Sequence, residues 1–518
     1  MSAAGKTGFS VLFAAAYSLG MPGYDIPGLP FVCLVPFLLL IVSTQNGKEA
    51  ARWGMLAGTL ANLPLFYWIA YTVAVPGNLG WTLGGLAALL VSAYLGAYLS
   101  GAAWIVARCR NGYGEWGLLA FPAAWVGVEH ARSILFTGFP WMQFGYALSG
   151  HLYLRQSADL AGVPGIGFVL ATVNLLLYAA AARLARGERR RCLLPIAGAV
   201  AVVSFLFSYG VYRLGEAGAE RGRREILVGI AQGGIDQSVK WDPAHQRETL
   251  AIYGRLSREA KRLGAEVIVW PETAAPFFYG WEPDLNPLVD NVAASTGVPI
   301  LFGAPRFEPA GGGRYFNSVF HLDRHGVVQG VYDKRHLVPF GEYIPLRNIL
   351  FFIKKLTVGE TDFSSGEGPS LFRVEGTLAG ASVCYEAVFP GIIRDSVRGG
   401  ATWLVNVTND AWFGDTVAPH QHLAMARMRT VEFRRAMVRA ANSGVSAVID
   451  PTGETVARMD LFRRGTAVGR VLPRGGETIY AKMGEIFAIS CTIMTLFVLA
   501  ATGFGRRGAR ASRSRGKN

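Results

Sequence analysis

Apolar positions are unevenly spread along this chain. From Phe9 to about Tyr212 they form long runs broken by short polar loops, positions 213–483 are mixed, and a last apolar run covers Ile486–Phe504. A helix needs about 20 residues to cross a hydrocarbon core of about 30 Å. The runs predict eight such helices, at 7–20, 27–43, 53–75, 81–107, 116–130, 160–182, 193–212 and 484–504. The first follows Lys6 in the manner of a signal peptide, but the many later spans mark it as a retained anchor.

Between the seventh and eighth runs the period changes. Short β-rich runs at 225–231, 266–270, 300–304, 318–322, 327–332, 379–383, 402–407, 445–449 and 467–471 interleave with helical stretches at 244–263, 286–296, 389–398 and 421–440. That alternation predicts a layered α/β domain. The 421–440 stretch sets Leu423, Met425, Met428, Val431 and Met437 against a basic face of Arg427, Arg434 and Arg435. The expected organisation is a polytopic α-helical membrane domain (1–212, seven helices), an external domain (213–483), a C-terminal membrane helix (484–505) and a basic tail (506–518).

Composition agrees. Apolar residues make up 51% and charged residues 17%, below the roughly 25% of soluble domains, and mean hydropathy is +0.29. Charge then orients the chain, because Lys and Arg collect in cytoplasmic loops. One set of loops and ends carries Lys6, Lys48, Arg52, Arg108, Arg110, Arg183, Arg186, Arg189, Arg190, Arg191, Arg506, Arg507, Arg510, Arg513, Arg515 and Lys517; the alternate loops carry only Arg132 and Arg155. Both termini are therefore expected in the cytoplasm and 213–483 outside it. The same residues account for most of the +14 formal charge. Since these clusters set topology and form no basic face on a folded domain, nucleic acid is excluded as a partner.

The five cysteines show neither paired nor CxxC spacing, so no disulfide framework or zinc site is readable. Four lie in or beside the long membrane-type runs; Cys384 lies away from them. It ends the apolar run Ala381-Ser382-Val383, as Glu272 follows Val267-Ile268-Val269-Trp270-Pro271 and Lys334 follows Tyr332-Asp333. Strand ends are where sites assemble in α/β architectures. A Cys needs a base to become a nucleophile, which Glu272 can supply, and Lys334 can hold a developing oxyanion. His420, His422 and Asp415 lack further ligands at a metal-binding spacing, so no metal is expected. Glu129 and His130 fall near a membrane span, where ionisable groups are functional candidates.

The contexts of these residues carry a resemblance. Pro271-Glu272-Thr273, the stretch from Asp333-Lys334-Arg335 to Phe340-Gly341-Glu342, Val383-Cys384-Tyr385-Glu386 and Asn409-Asp410-Ala411-Trp412-Phe413-Gly414 resemble the nitrilase (carbon–nitrogen hydrolase) superfamily. With Gln237-Ser238-Val239-Lys240-Trp241, Gly138-Phe139-Pro140-Trp141, His422-Leu423-Ala424-Met425 and the flanking membrane runs, the chain resembles the bacterial apolipoprotein N-acyltransferase family. The resemblance implies an α-β-β-α sandwich on the periplasmic side of the inner membrane and no cofactor. It implies ping-pong acyl transfer from a phospholipid donor in the bilayer, through a thioester, to the amine of a diacylglyceryl apolipoprotein. Glu272 would be the base, Lys334 the oxyanion donor and Cys384 the nucleophile. Glu342, Glu386, Tyr385, Trp241 and Trp412 would support the site or bind substrate. Lying two residues from Cys384, Glu386 would share its face on a continuing strand, in an orienting role or as a structural carboxylate paired with an Arg.

Residues 343–355, with the apolar Ile349–Ile353 between Arg347 and Lys354, suit an interfacial segment that meets lipid, or ordinary packing. Phe277, Phe278, Tyr279 and Trp281 suit either role too. A membrane-tethered amidase would use the same three residues but leave the 343–355 segment without a task. A transporter would require paired intramembrane charges and repeated broken helices, which the sequence lacks.

Overall fold

Each of the eight apolar runs is helical in the computed structural model, which describes residues 1–219, 224–309, 313–345 and 362–515. In chain order they fold as α1 (Ala3–Leu19), α2 (Val35–Val42) with a preceding turn of 3₁₀-helix, α3 (Gly47–Phe66) and α4 (Trp68–Ala74), α5 (Gly80–Tyr113), α6 (Phe121–Ile134), α7 (Ala158–Ala185), α8 (Leu193–Ala219) and a last helix, Ile486–Arg515. Among the described residues, three stretches are long and apolar enough to cross a membrane: Gly80–Thr137, Leu154–Ala185 and Leu193–Glu216. The third span breaks into α3 and α4 with a bend of 59°. Pro64 lies within the last turn of α3, where it withholds a backbone donor and crowds the preceding turn.

The chain forms two compact units: residues 1–69, 85–215 and 483–518, and residues 70–84 and 216–482. In the first, Phe13, Tyr17, Phe37, Trp125 and Phe144 pack as one aromatic cluster. Gly54 and Gly58 let α3 approach α5 closely: a Cβ on Gly58 would lie 2.9 Å from Gly96 Cα, a small-residue contact typical of helices packed without a hydrophobic driving force. Buried Asn174 accepts from Leu34 N–H (2.8 Å) and donates to the Pro30 carbonyl (2.9 Å), satisfying backbone where the second span is interrupted.

The second unit contains two six-stranded sheets. Its strands are β1 (Ile226–Gln232), β2 (Val267–Val269), β3 (Ile300–Glu308), β4 (Arg314–Leu322), β5 (Val328–Asp333), β6 (Leu371–Val374), β7 (Thr377–Val383), β8 (Trp403–Thr408), β9 (Met437–Ala441), β10 (Ser446–Ile449), β11 (Thr455–Met459) and β12 (Gly465–Val471). One sheet runs β12-β1-β2-β3-β4-β5 and the other β11-β10-β9-β8-β7-β6. Alternation decides what each face covers. Val267 and Val269 join Val405, Val407 and Val438 in the core between the sheets. Ile268 and Trp270 point the other way, against α9 (Pro243–Arg262) and α10 (Asn286–Thr296). On the second sheet Leu404 and Met437 meet α11 (Pro390–Arg398) and α12 (Ala418–Phe433). This is the expected α-β-β-α sandwich.

Strands β6, β9 and β11 were not among the expected runs, and one expected helix is shortened. The helix predicted over 421–440 stops at Phe433, because Arg434 takes a left-handed φ of +50°, and Met437–Ala441 becomes a strand parallel to β8. Arg434 and Arg435 form no exposed basic face: both are buried. Arg435 donates to the carbonyls of Ala401 (2.7 Å) and Gly476 (2.6 Å).

Candidate active site

Three strand ends bring a carboxyl, an ammonium and a thiol together. Beyond β2, Pro271 carries no donor to extend the ladder and the chain turns at Thr273 (φ +48°), leaving Glu272 buried at the turn. Beyond β5, Lys334 is held by its N–H to the Asn317 carbonyl (2.9 Å). Beyond β7, Cys384 adopts φ +51° and opens a 3₁₀ turn.

Lys334 is the hub. Its Nζ lies 2.9 and 2.8 Å from the two carboxylate oxygens of Glu342 and 3.8 Å from Glu272 Oε1. Asn317 Nδ2 donates to both carboxylates, at 2.7 Å to Glu272 Oε1 and 3.0 Å to Glu342 Oε1. Lys240 Nζ donates to the Glu272 backbone carbonyl at 3.0 Å. Burial works to lower the Lys334 ammonium, yet Glu342 and Glu272 outweigh it and hold the group above its usual range, so it stays charged. Burial, with Glu272 adding to it and Lys334 opposing, pushes the Cys384 thiol up to about 12. A thiol in that state reacts only when a neighbour takes its proton.

The backbone of Cys384 is gripped from behind. Its carbonyl accepts from Asn406 Nδ2 (3.3 Å) and from His422 Nε2 (3.1 Å), which must therefore carry the proton. His422 Nδ1 stands 3.1 Å from Asp410 Oδ1 and 3.0 Å from Arg439 Nη2. Arg439 also donates to Asn406 Oδ1 (2.6 Å) and Asp410 Oδ2 (2.7 Å). Burial would raise Asp410, but Arg439 and His422 hold it well below the usual carboxylate range. The network fixes an unusual backbone conformation that costs about 1–3 kcal/mol for a residue with a side chain.

Glu342 and Glu386 take different places. Glu342 lies on Lys334, and its Oε2 accepts from Val338 N–H (2.8 Å). Glu386 does not share a strand face with Cys384, because β7 ends at Val383. It is fully buried and accepts from Tyr332 Oη (2.9 Å) and from the backbone N–H groups of Val383 (2.7 Å), Arg335 (2.6 Å) and His336 (3.0 Å). It ties the Cys384 turn to the Lys334 loop, and its Arg335 contact is through backbone, not guanidinium. Tyr385 is buried, with its ring edge-on to Phe389 at 4.9 Å. Trp241 and Trp412 are half-buried. Among the described residues neither bonds to the three central groups; the Trp412 carbonyl accepts from Thr72 Oγ1 at 3.0 Å.

The 277–281 aromatics divide. Phe277 and Tyr279 are core residues, and Tyr279 Oη bonds Asp290 Oδ1 at 2.5 Å. Phe278 and Trp281 remain partly exposed beside Phe307. The apolar run 349–353 lies outside the described residues. In the other unit, buried Glu129 accepts from Phe144 N–H at 2.7 Å. Sequence reading passed over Asn317, Lys240 and the Asp410–His422–Arg439 group as parts of the site. The only signal for Lys240 is its place in the Gln237–Trp241 stretch, and for Asn317 a buried amide in the middle of β4.

Two facing sheets flanked by helices, with these groups at the strand ends, define a carbon–nitrogen hydrolase domain, and the carbon–nitrogen hydrolase family model matches residues 227–479. The model of the apolipoprotein N-acyltransferase N-terminal domain matches residues 13–176. The apolipoprotein N-acyltransferase of Geobacter metallireducens is 38% identical over 96% of this chain and 95% of its own length. That of Methylococcus capsulatus is 38% identical over 84% and 82%. An amidase structure from Nesterenkonia sp. aligns with 52% of this chain and 97% of its own, at 19% identity and a TM-score of 0.37. The chain belongs to the apolipoprotein N-acyltransferase family.

Proposed function

We propose that this chain transfers a fatty acyl group from a membrane phospholipid to the N-terminal amine of a diacylglyceryl-cysteine apolipoprotein, in two half-reactions at Cys384. In the first, Glu272 accepts the thiol proton as Sγ attacks the ester carbonyl. The oxyanion forms near Lys334, the C–O bond breaks, and the leaving lysophospholipid oxygen takes the proton from Glu272. The product is a thioester. In the second, the amine attacks that carbonyl, its proton passes to Glu272, the C–S bond breaks, and Sγ recovers the proton. The catalytic domain faces the periplasm, with both termini in the cytoplasm.

The observation that carries this reading is the buried cluster itself. A thiol held in its protonated form, a carboxyl group and a charged lysine converge in a chain whose relatives are named apolipoprotein N-acyltransferases. The test is mass spectrometry of the purified protein mixed with phospholipid vesicles. One acyl adduct is expected on Cys384, released by an amine-bearing lipopeptide and absent from Cys384→Ala and Cys384→Ser. Replacing the other four cysteines should leave it intact. An adduct mapped to another residue of Cys384→Ala would overturn the proposal.

A further inference from the structure

Lys240 is a buried ammonium that the half-reactions above do not use. It is 2% exposed. Among the described residues it forms no ion pair, and its only hydrogen bond is the 3.0 Å contact to the Glu272 carbonyl. An ammonium has three donors, so two are left without a protein acceptor, and a buried charge without a paired carboxylate is costly to retain.

Its position is built, not accidental. Lys240 lies in the 233–242 loop between β1 and α9, and that loop is pinned at several points. Ile235 N–H donates to Asn442 Oδ1 (2.9 Å), Asn442 Nδ2 returns a bond to the Ile235 carbonyl (2.8 Å), and Asn409 Nδ2 donates to Gln237 Oε1 (2.8 Å). The ammonium is close enough to Glu272 and Cys384 to feel both charges.

Charge balance suggests its task. When Glu272 takes the thiol proton, negative charge passes to the substrate carbonyl oxygen. Lys334 remains matched by Glu342, whose oxygens lie 2.9 and 2.8 Å from it. The cation without a matching carboxylate is Lys240. Resting on the acyl-transfer reading, we propose that Lys240 is a second oxyanion-stabilising residue, its free N–H groups meeting the carbonyl oxygen in both tetrahedral intermediates. Burial pushes its ammonium down to about 8, with Glu272 and Cys384 opposing, which leaves the charged form in use near neutral pH.

The test compares Lys240→Gln with Lys240→Met in the full-length protein, by single-turnover acylation of Cys384 from vesicles of defined phospholipid. Glutamine keeps a donor for the Glu272 carbonyl but no charge. Both variants should acylate about 10²-fold more slowly at saturating lipid, the scale of losing one oxyanion donor, with the lipid concentration at half-maximal rate unchanged. Melting temperatures should match or exceed the parent's, since an unpaired buried charge has gone.

The pH profile gives a second readout. The groups facing Lys240 are Glu272 and Cys384, with Lys334 and Glu342 beyond. The parent rate should fall on the alkaline side as Lys240 loses its proton, and this limb should be missing in Lys240→Gln. Parent-like rates in both variants would overturn the proposal. So would a parent-like rate in Lys240→Gln beside a slow Lys240→Met, which would make Lys240 only a support for the Glu272 backbone. If the parent itself gives no Cys384 adduct, the acyl-transfer reading fails instead.

Discussion

Asp410 shows how one buried residue can set the conditions under which the site survives. Its side chain is fully buried between Arg439 and His422. Folded Asp410 titrates well below the ordinary value of 3.8, whereas an unfolded aspartate does not. In acid the unfolded chain therefore binds the extra proton, so this stabilisation is present above about pH 4 and is lost as pH falls toward the folded value. Asp410→Asn should be less stable at neutral pH by about 3–5 kcal/mol, because it strands the Arg439 charge. Its melting temperature should also fall less steeply than the parent's between pH 5 and pH 3. An unchanged acid slope in thermal melts would show that other carboxylates govern acid unfolding. At this scale Glu272 and Cys384 stand out because each follows an apolar strand, whereas Lys334 follows the mixed strand β5 and stands out only through the motif around it. Asn317 and Lys240 do not, because the worth of a lone polar residue depends on what it faces.

At the scale of elements, the site depends on how closely two strands approach. A Cβ on Gly303 of β3 would lie 2.5 Å from Thr273 N and 2.7 Å from Glu272 Cα. These are backbone atoms, which cannot swing aside. Gly303→Ala should cost about 1–3 kcal/mol through overpacking. It should also slow Cys384 acylation beyond what reduced folding explains, because the displaced segment carries Glu272, the proposed base. Parent-like single-turnover rates from the folded fraction would refute that. The switch from α12 to β9 belongs to the same scale. Met437, Val438 and Ala440 continue an apolar pattern that a helix or a fully buried strand can equally satisfy. The left-handed turn at Arg434 and the pairing with β8 decide between them.

At the scale of the molecule, the distribution of Lys and Arg predicts which regions share a compartment. Reporter fusions after Gly47, Gly112 and Gly187 and at the C-terminus should read as cytoplasmic, and a fusion within 310–314 as external. Sixteen basic residues in one set of loops and ends against two in the other motivate this. A cytoplasmic signal from the 310–314 fusion would overturn the orientation and, with it, access to an exported acceptor.

Local apolarity was enough to recover the helical runs and a layered α/β class, because hydrophobic period is a property of neighbouring positions; the sandwich and the choice of Glu272, Lys334 and Cys384 came from the motifs around those residues. Contacts between residues far apart along the chain decided the rest. Glu386 supports the site by accepting from backbone donors at 335, 336 and 383, which no spacing could reveal. Asp410, His422 and Arg439 meet only because β8, α12 and β9 pack side by side. Lys240 enters the site through a loop tied to Asn442, some 200 positions away. Such groupings arise when backbone pairing brings distant side chains into a shared, water-poor volume, where partners and charge balance, and not residue type alone, determine what each one does.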